Sequence, residues 1–148
     1  MKVTVLLADS AAVADGKLYI LGGGWTQTGP APVPSAIAIK IEVPWDQANR
    51  RHKLKLALLD SDGNPVMAPP TDDGPPQPLA VFEAEFEVGR PPGMLPGTPI
   101  DAPLAMSIPP LPLPPGQRYS WNLEINGRSE DDWYLSFSTR PAAARLAS

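Results

Sequence analysis

Hydrophobic and polar positions alternate along most of this chain with the two-residue period of half-buried β-strands. The pattern is clearest from Tyr119 to Ile125, where Tyr119, Trp121, Leu123 and Ile125 fall on one face and Ser120, Asn122 and Glu124 on the other. Similar alternation predicts strands over Lys2–Ala8, Lys17–Leu21, Ala36–Val43, Lys53–Leu59, Leu79–Val88, Pro103–Ile108 and the run ending Trp133-Tyr-Leu-Ser-Phe137. Between them lie turn-forming clusters: a loop over Asp9–Gly16 with Asp15-Gly16 at its end, Asp60-Ser-Asp-Gly-Asn-Pro65, and Asn126-Gly127. Pro44 to Arg51 can make one helical turn, because proline is tolerated there in a first turn. The expectation is an all-β chain of about eight strands. The inward positions give a core of Val3, Val5, Leu7, Leu18, Ile20, Ile37, Ile39, Ile41, Leu54, Leu56, Leu58, Phe82, Phe86, Tyr119, Trp121, Leu123, Trp133, Leu135 and Phe137.

Composition narrows the classes. A chain of 148 residues suits one domain, expected over residues 1–139 with a C-terminal tail over 140–148 that has room for a helical turn. A net charge of -4 and a pI near 4.9 argue against a nucleic-acid partner. The absence of cysteine excludes disulfides, a thiolate nucleophile and any cysteine-built metal site, and is compatible with the cytoplasm. The first residues imitate a short signal peptide, but Asp9 interrupts an apolar run already too brief for one, so cleavage for secretion is not expected. No run approaches the ~20 apolar residues of a membrane span. The 21 prolines gather in loops rather than spreading evenly, so they punctuate a folded chain.

Two resemblances follow from particular stretches. Leu113-Pro-Pro-Gly116-Gln-Arg-Tyr119 resembles the tyrosine corner of immunoglobulin-like and fibronectin type III sandwiches. That resemblance implies an immunoglobulin-like antiparallel β-sandwich with proline-rich loops, Gly116 at the corner, and a Tyr119 hydroxyl bonded to backbone upstream. Val3-Thr-Val-Leu-Leu-Ala-Asp-Ser10, Asp15-Gly-Lys-Leu-Tyr-Ile-Leu-Gly-Gly-Gly-Trp25 and the Leu113–Gly127 stretch resemble a family of small uncharacterised proteins from actinobacteria and their phages. That resemblance implies no activity.

Each patch of candidate chemistry has a plainer alternative. Asp60, Asp62 and Asn64 carry oxygens at positions one, three and five of a calcium loop, but Pro65 stands where such a loop needs glycine. The same residues make a hairpin turn. Gly22-Gly-Gly24 lacks the lysine and helix of a phosphate cradle and reads as a bulge or close backbone approach. His52, the single histidine, reads as a solvated strand edge beside Arg50, Arg51 and Lys53. Glu83, Glu85 and Glu87 read as the wet face of a strand opposite Lys53 and Lys55, and Glu130-Asp131-Asp132 as an acidic turn. Pro109 to Pro115 reads as a rigid connector. Trp121 and Trp133 belong to the core. Trp25 and Trp45, at strand ends beside Pro/Gly loops, either cap the sandwich or anchor a partner.

No catalytic constellation and no cofactor site emerge from these residues. The expected function is a non-enzymatic structural or protein-interaction module acting by self-assembly or with a protein partner, such as a phage virion or assembly component. The alternative is a cytoplasmic binding protein for a small molecule or carbohydrate that uses Trp25, Trp45 and the loops at one end. The least favoured is a hydrolase using Glu83/Glu85 or Asp60/Asp62. Membrane and nucleic-acid partners are not expected.

Overall fold

A computed structural model describes residues 1–142. Nine strands form two sheets: β1 Lys2–Ala14, β2 Lys17–Gly23, β3 Gln27–Thr28, β4 Ser35–Val43, β5 His52–Asp60, β6 Val81–Phe86, β7 Ile100–Ile108, β8 Arg118–Ile125 and β9 Tyr134–Thr139. One sheet runs β2-β1-β4-β7 and the other β3-β9-β8-β5-β6. All pairings are antiparallel except β3 with β9. The order β9-β8-β5-β6 corresponds to G-F-C-C′ of a variable-type immunoglobulin sandwich, and β1-β4-β7 to A-B-E. β2 is an addition outside that frame.

The period-two pattern explains why the sheets pack. Ile37, Ile39, Ile41 and Val43 on β4 are fully buried, as are Leu54, Leu56 and Leu58 on β5 and Leu123 on β8, with Trp121 and Ile125 close to it. Val3 and Leu7 on β1 complete the row from the first sheet. Each large aliphatic side chain removed from water contributes about 1.5–3 kcal/mol. The first half of β4 is buried on its other face too, where Ala36 and Ala38 pair with Ala8 and Leu6, whereas Lys40 further along that face is exposed. Val5, Phe82 and Leu135 pack against the core's margin rather than inside it.

Three expectations are corrected. Asp9–Gly16 is not a loop: β1 continues to Ala14 and pairs with β2 around the two-residue turn Asp15-Gly16. Both turn residues have positive φ, +51° and +70°, the type I′ geometry that matches strand twist. Leu18 and Ile20 therefore leave the core. They lie on a hairpin arm, because β1 pairs with β4 only through Ala8 and its remaining residues have β2 alone as partner. Third, β7 begins at Ile100 and runs through Pro103, which an edge strand accommodates because one side of its backbone has no ladder to serve. β3 raises the count to nine. The helical turn after Pro44 is a 3-10 turn, Trp45–Gln47, and a second spans Asp131–Trp133. The expectation of a helical turn in the tail falls beyond Ala142, outside the described residues.

Ile39→Ala is expected to destabilise the chain by about 2–5 kcal/mol, and Leu21→Ala on the arm by no more than about 0.5 kcal/mol. Urea unfolding of the two variants checks the difference.

Candidate functional site

The corner before β8 is closed by Thr139, not by Tyr119. Thr139 Oγ1 donates to the Pro114 carbonyl at 2.8 Å and accepts from the Gln117 N–H at 3.0 Å. The Thr139 N–H donates to the Gln117 carbonyl at 2.9 Å, and the Gly116 N–H to the Thr139 carbonyl at 3.1 Å. Gly116 takes φ +71°, where a side chain would be strained. The Tyr119 hydroxyl makes no hydrogen bond among the described residues. Its ring is buried against Phe137, 5.6 Å between centroids, and burial followed by the nearby Asp60 carboxylate raises its pKa above the ordinary value. The hydrogen bond expected of a tyrosine corner is thus replaced by a threonine latch.

Trp25 and Trp45 lie at opposite ends of the sandwich, so they cannot line one binding end together. Trp25 stacks edge-on against Phe137 at 6.3 Å beside a cavity of about 40 Å³ that Ser35 and Ile108 also line. Its Nε1 is buried with no acceptor in reach among the described residues. Trp45 follows the far end of β4. Arg90 covers its ring at 4.6 Å and donates from Nε and Nη2 to its carbonyl at 3.2 and 2.7 Å. That clamp holds the Trp45 ring by a cation–π contact.

His52 is only 4% exposed, against its expectation as a solvated edge. Its ring stacks on Phe86 at 5.2 Å, its Nε2 is 2.9 Å from the Gln47 carbonyl, and its Nδ1 is 3.0 Å from Asn126 Nδ2. These contacts fit a ring with Nε2 donating and Nδ1 accepting. They tie β5 to the Trp45 turn and to the Asn126-Gly127 turn. His52 shares the phase of Leu54, Leu56 and Leu58, so the alternation itself places it inward.

The carboxylates do not converge. Asp60 Oδ1 accepts from the Asp62 and Asn64 amides at 2.9 and 3.0 Å, which makes it the staple of its own turn. Among the described residues no three His, Cys, Asp or Glu side chains gather as a metal site would require. Glu83 pairs across from Lys55 and Glu85 from Lys53, as the sequence suggests, and Glu85 also meets Arg51 at 3.7 Å.

The most unusual surface is the hairpin arm, which sequence reasoning missed. Val13, Tyr19, Ile20 and Leu21 are exposed there, Leu21 at 71%. Gly22 sits at φ +61° where a Cβ would overlap the Asp9 carboxylate, and Gly24 N–H reaches back to the Leu7 carbonyl at 2.7 Å. The triple glycine is therefore the bend that returns the chain from the arm, as its bulge reading anticipates. Asp15-Gly16, a hairpin signal of the same kind as Asn126-Gly127, marks the arm's tip.

Thr139→Val keeps the shape but orphans the Gln117 N–H and the Pro114 carbonyl. A loss of about 1–3 kcal/mol is expected in denaturant unfolding. Tyr119→Phe should stay within about 0.5 kcal/mol at neutral pH. A tyrosine pKa raised by folding gives stability that is complete below the unfolded value near 10 and lost as pH rises through the folded value. Wild-type stability should therefore fall above about pH 10, and Tyr119→Phe should flatten that fall.

A family of unknown function, DUF6941, matches residues 3–137. No curated protein and no solved structure matches the chain. With nearly its whole sandwich inside that match, the chain belongs to the DUF6941 family.

Proposed function

We propose that this protein is a non-enzymatic structural or protein-interaction module whose contact surface is the β1–β2 hairpin arm. The observation that carries the reading is the arm itself: a two-stranded ribbon beyond the pairing of β1 with β4, which nears the sandwich where β2 approaches β7 and β4, with Val13, Tyr19, Ile20 and Leu21 exposed. An isolated two-stranded hairpin is marginal in water, and this one shows apolar side chains on both faces, Tyr19 and Leu21 on one and Val13 and Ile20 on the other. The rest of the fold supports this reading by its rigidity, since Thr139, His52 and Arg90 each pin a loop or turn to a strand. A place in a phage particle or its assembly is the finer form of the proposal, and it rests on the sequence resemblance alone.

A second reading, binding of a small molecule, is favoured by the buried Trp25 N–H, which has no acceptor among the described residues, at the proline-lined end. The cavity there, about 40 Å³, suits ordered water, for which ~10–15 Å³ suffices, rather than a sugar ring. This reading therefore ranks second.

The test is a photoreactive side chain at position 21, compared with one at position 95, in the cell that makes the protein. Leu95 is equally exposed, at 75%, on the long loop away from the arm. A discrete adduct from position 21 and none from position 95 is the expected result. No adduct from position 21, or equal labelling from both, overturns the interaction reading.

A further inference from the structure

The four open edges of the two sheets are not treated alike. A sheet edge offers unpaired N–H and C=O groups to any passing strand, and soluble proteins blunt it with charge, proline, a bulge or brevity. β7 carries Asp101 and Pro103. β6 carries Glu83 and Glu85. β3 has two residues. β2 alone has a regular five-residue edge, Lys17 to Leu21, with no carboxylate and no proline. Its guards stand at the two ends: Lys17 at the start, and Gly22, whose φ of +61° breaks the ladder between the Asp9 and Gly22 positions.

Resting on the interaction reading, we infer that this edge pairs antiparallel with the same edge of a second copy, about a two-fold axis at Tyr19. The hydrogen-bond phase of the hairpin sets this register. The two residues that flank a two-residue turn form a hydrogen-bonded pair, and the pattern alternates from there. Lys17, Tyr19 and Leu21 thus spend their backbone groups on Ala14, Ala12 and Ser10 of β1. Leu18 and Ile20 aim theirs outward. In an antiparallel pair about Tyr19, Leu18 meets Ile20 of the copy and Ile20 meets Leu18, which satisfies all four residues at once.

The side chains agree with that register. Tyr19 meets Tyr19 on one face, flanked by Lys17 against Leu21 of the copy. The lysine stem can lie along the leucine with its ammonium in water. Leu18 and Ile20 face each other on the opposite side. No like charges are opposed. This matters for two chains of net charge -4 each, which would bring Asp101 or the Glu83/Glu85 pair together at the β7 or β6 edge. A two-fold axis makes the contact isologous and closed. The paired segment is short beside a standard interface of ~1,600 Å², so the dimer should dissociate on dilution.

The test uses the absence of cysteine in the chain. At the axis, a non-hydrogen-bonded position, the two Cα atoms stand ~4.5 Å apart, within the ~4.4–6.8 Å that a disulfide spans. Wild-type protein should show twice the 15.8 kDa chain mass by light scattering at high concentration. Tyr19→Cys should oxidise to a covalent dimer, and Leu95→Cys should stay a monomer. Ile20→Pro deletes an outward N–H while leaving the β1 rungs intact, so it should halve the mass with an unchanged circular dichroism spectrum. One chain mass at every concentration up to millimolar overturns the pairing, as does a dimer that Ile20→Pro leaves whole or that Leu95→Cys traps equally well. The adduct from position 21 separates the two levels. An adduct of twice the chain mass supports the pairing, one of another mass overturns it but keeps the interaction module, and none overturns both.

Discussion

Two facing rows of side chains hold this molecule together: Ile37, Ile39, Ile41 and Val43 on β4, and Trp121, Leu123 and Ile125 on β8. Both rows are one face of a strict two-residue alternation. A slip of one residue in either strand would send the whole row to solvent, so the register of every neighbouring strand follows from them. β1 and β7 take their positions from β4, β5 and β9 take theirs from β8, and β6 joins at the edge through β5. The turns and corners are then pinned to this frame by a few polar contacts, chiefly those of Thr139, His52 and Arg90.

Where that frame ends, the chain does something else. β1 outruns β4 by six residues and carries β2 with it. The arm touches the sandwich where β2 nears β7 and β4, but most of its side chains are exposed and its ladder bonds are shared only within the ribbon, so its stability is lower than that of the sandwich. An element that keeps apolar side chains exposed and leaves one edge open is suited to completion by another strand. That is the physical link between the fold and the proposed function.

Legibility in the sequence followed the range of the interactions. Strong local alternation made β4, β5, β6 and β8 readable to within a few residues, and the glycine bend at Gly22 to Gly24 declared itself. The arm was hidden because Ala11, Ala12 and Ala14 have little strand propensity, even though Asp15-Gly16 announced a hairpin. The spacing of the corner points to Tyr119, while the residue that closes it, Thr139, lies on another strand. Local spacing cannot show that partner. Trp25 and Trp45 were read as companions, yet the nine residues of β4 between them span about 30 Å at the ~3.4 Å rise of a strand. The charged neighbours of His52 point to solvent, while its phase with Leu54 points inward and is the stronger signal. The reason is general: a buried polar residue is revealed by the partners that satisfy it, and Gln47 and Asn126 come from two separate turns.

The central claim is that the arm is a separate element that a second strand completes. Amide hydrogen exchange at two protein concentrations tests it most directly. The account predicts that Leu18 and Ile20 exchange quickly in dilute protein and are protected in concentrated protein, while amides of Ile37 to Val43 stay slow in both. Arm amides whose protection equals that of β4 and does not change with concentration would contradict it.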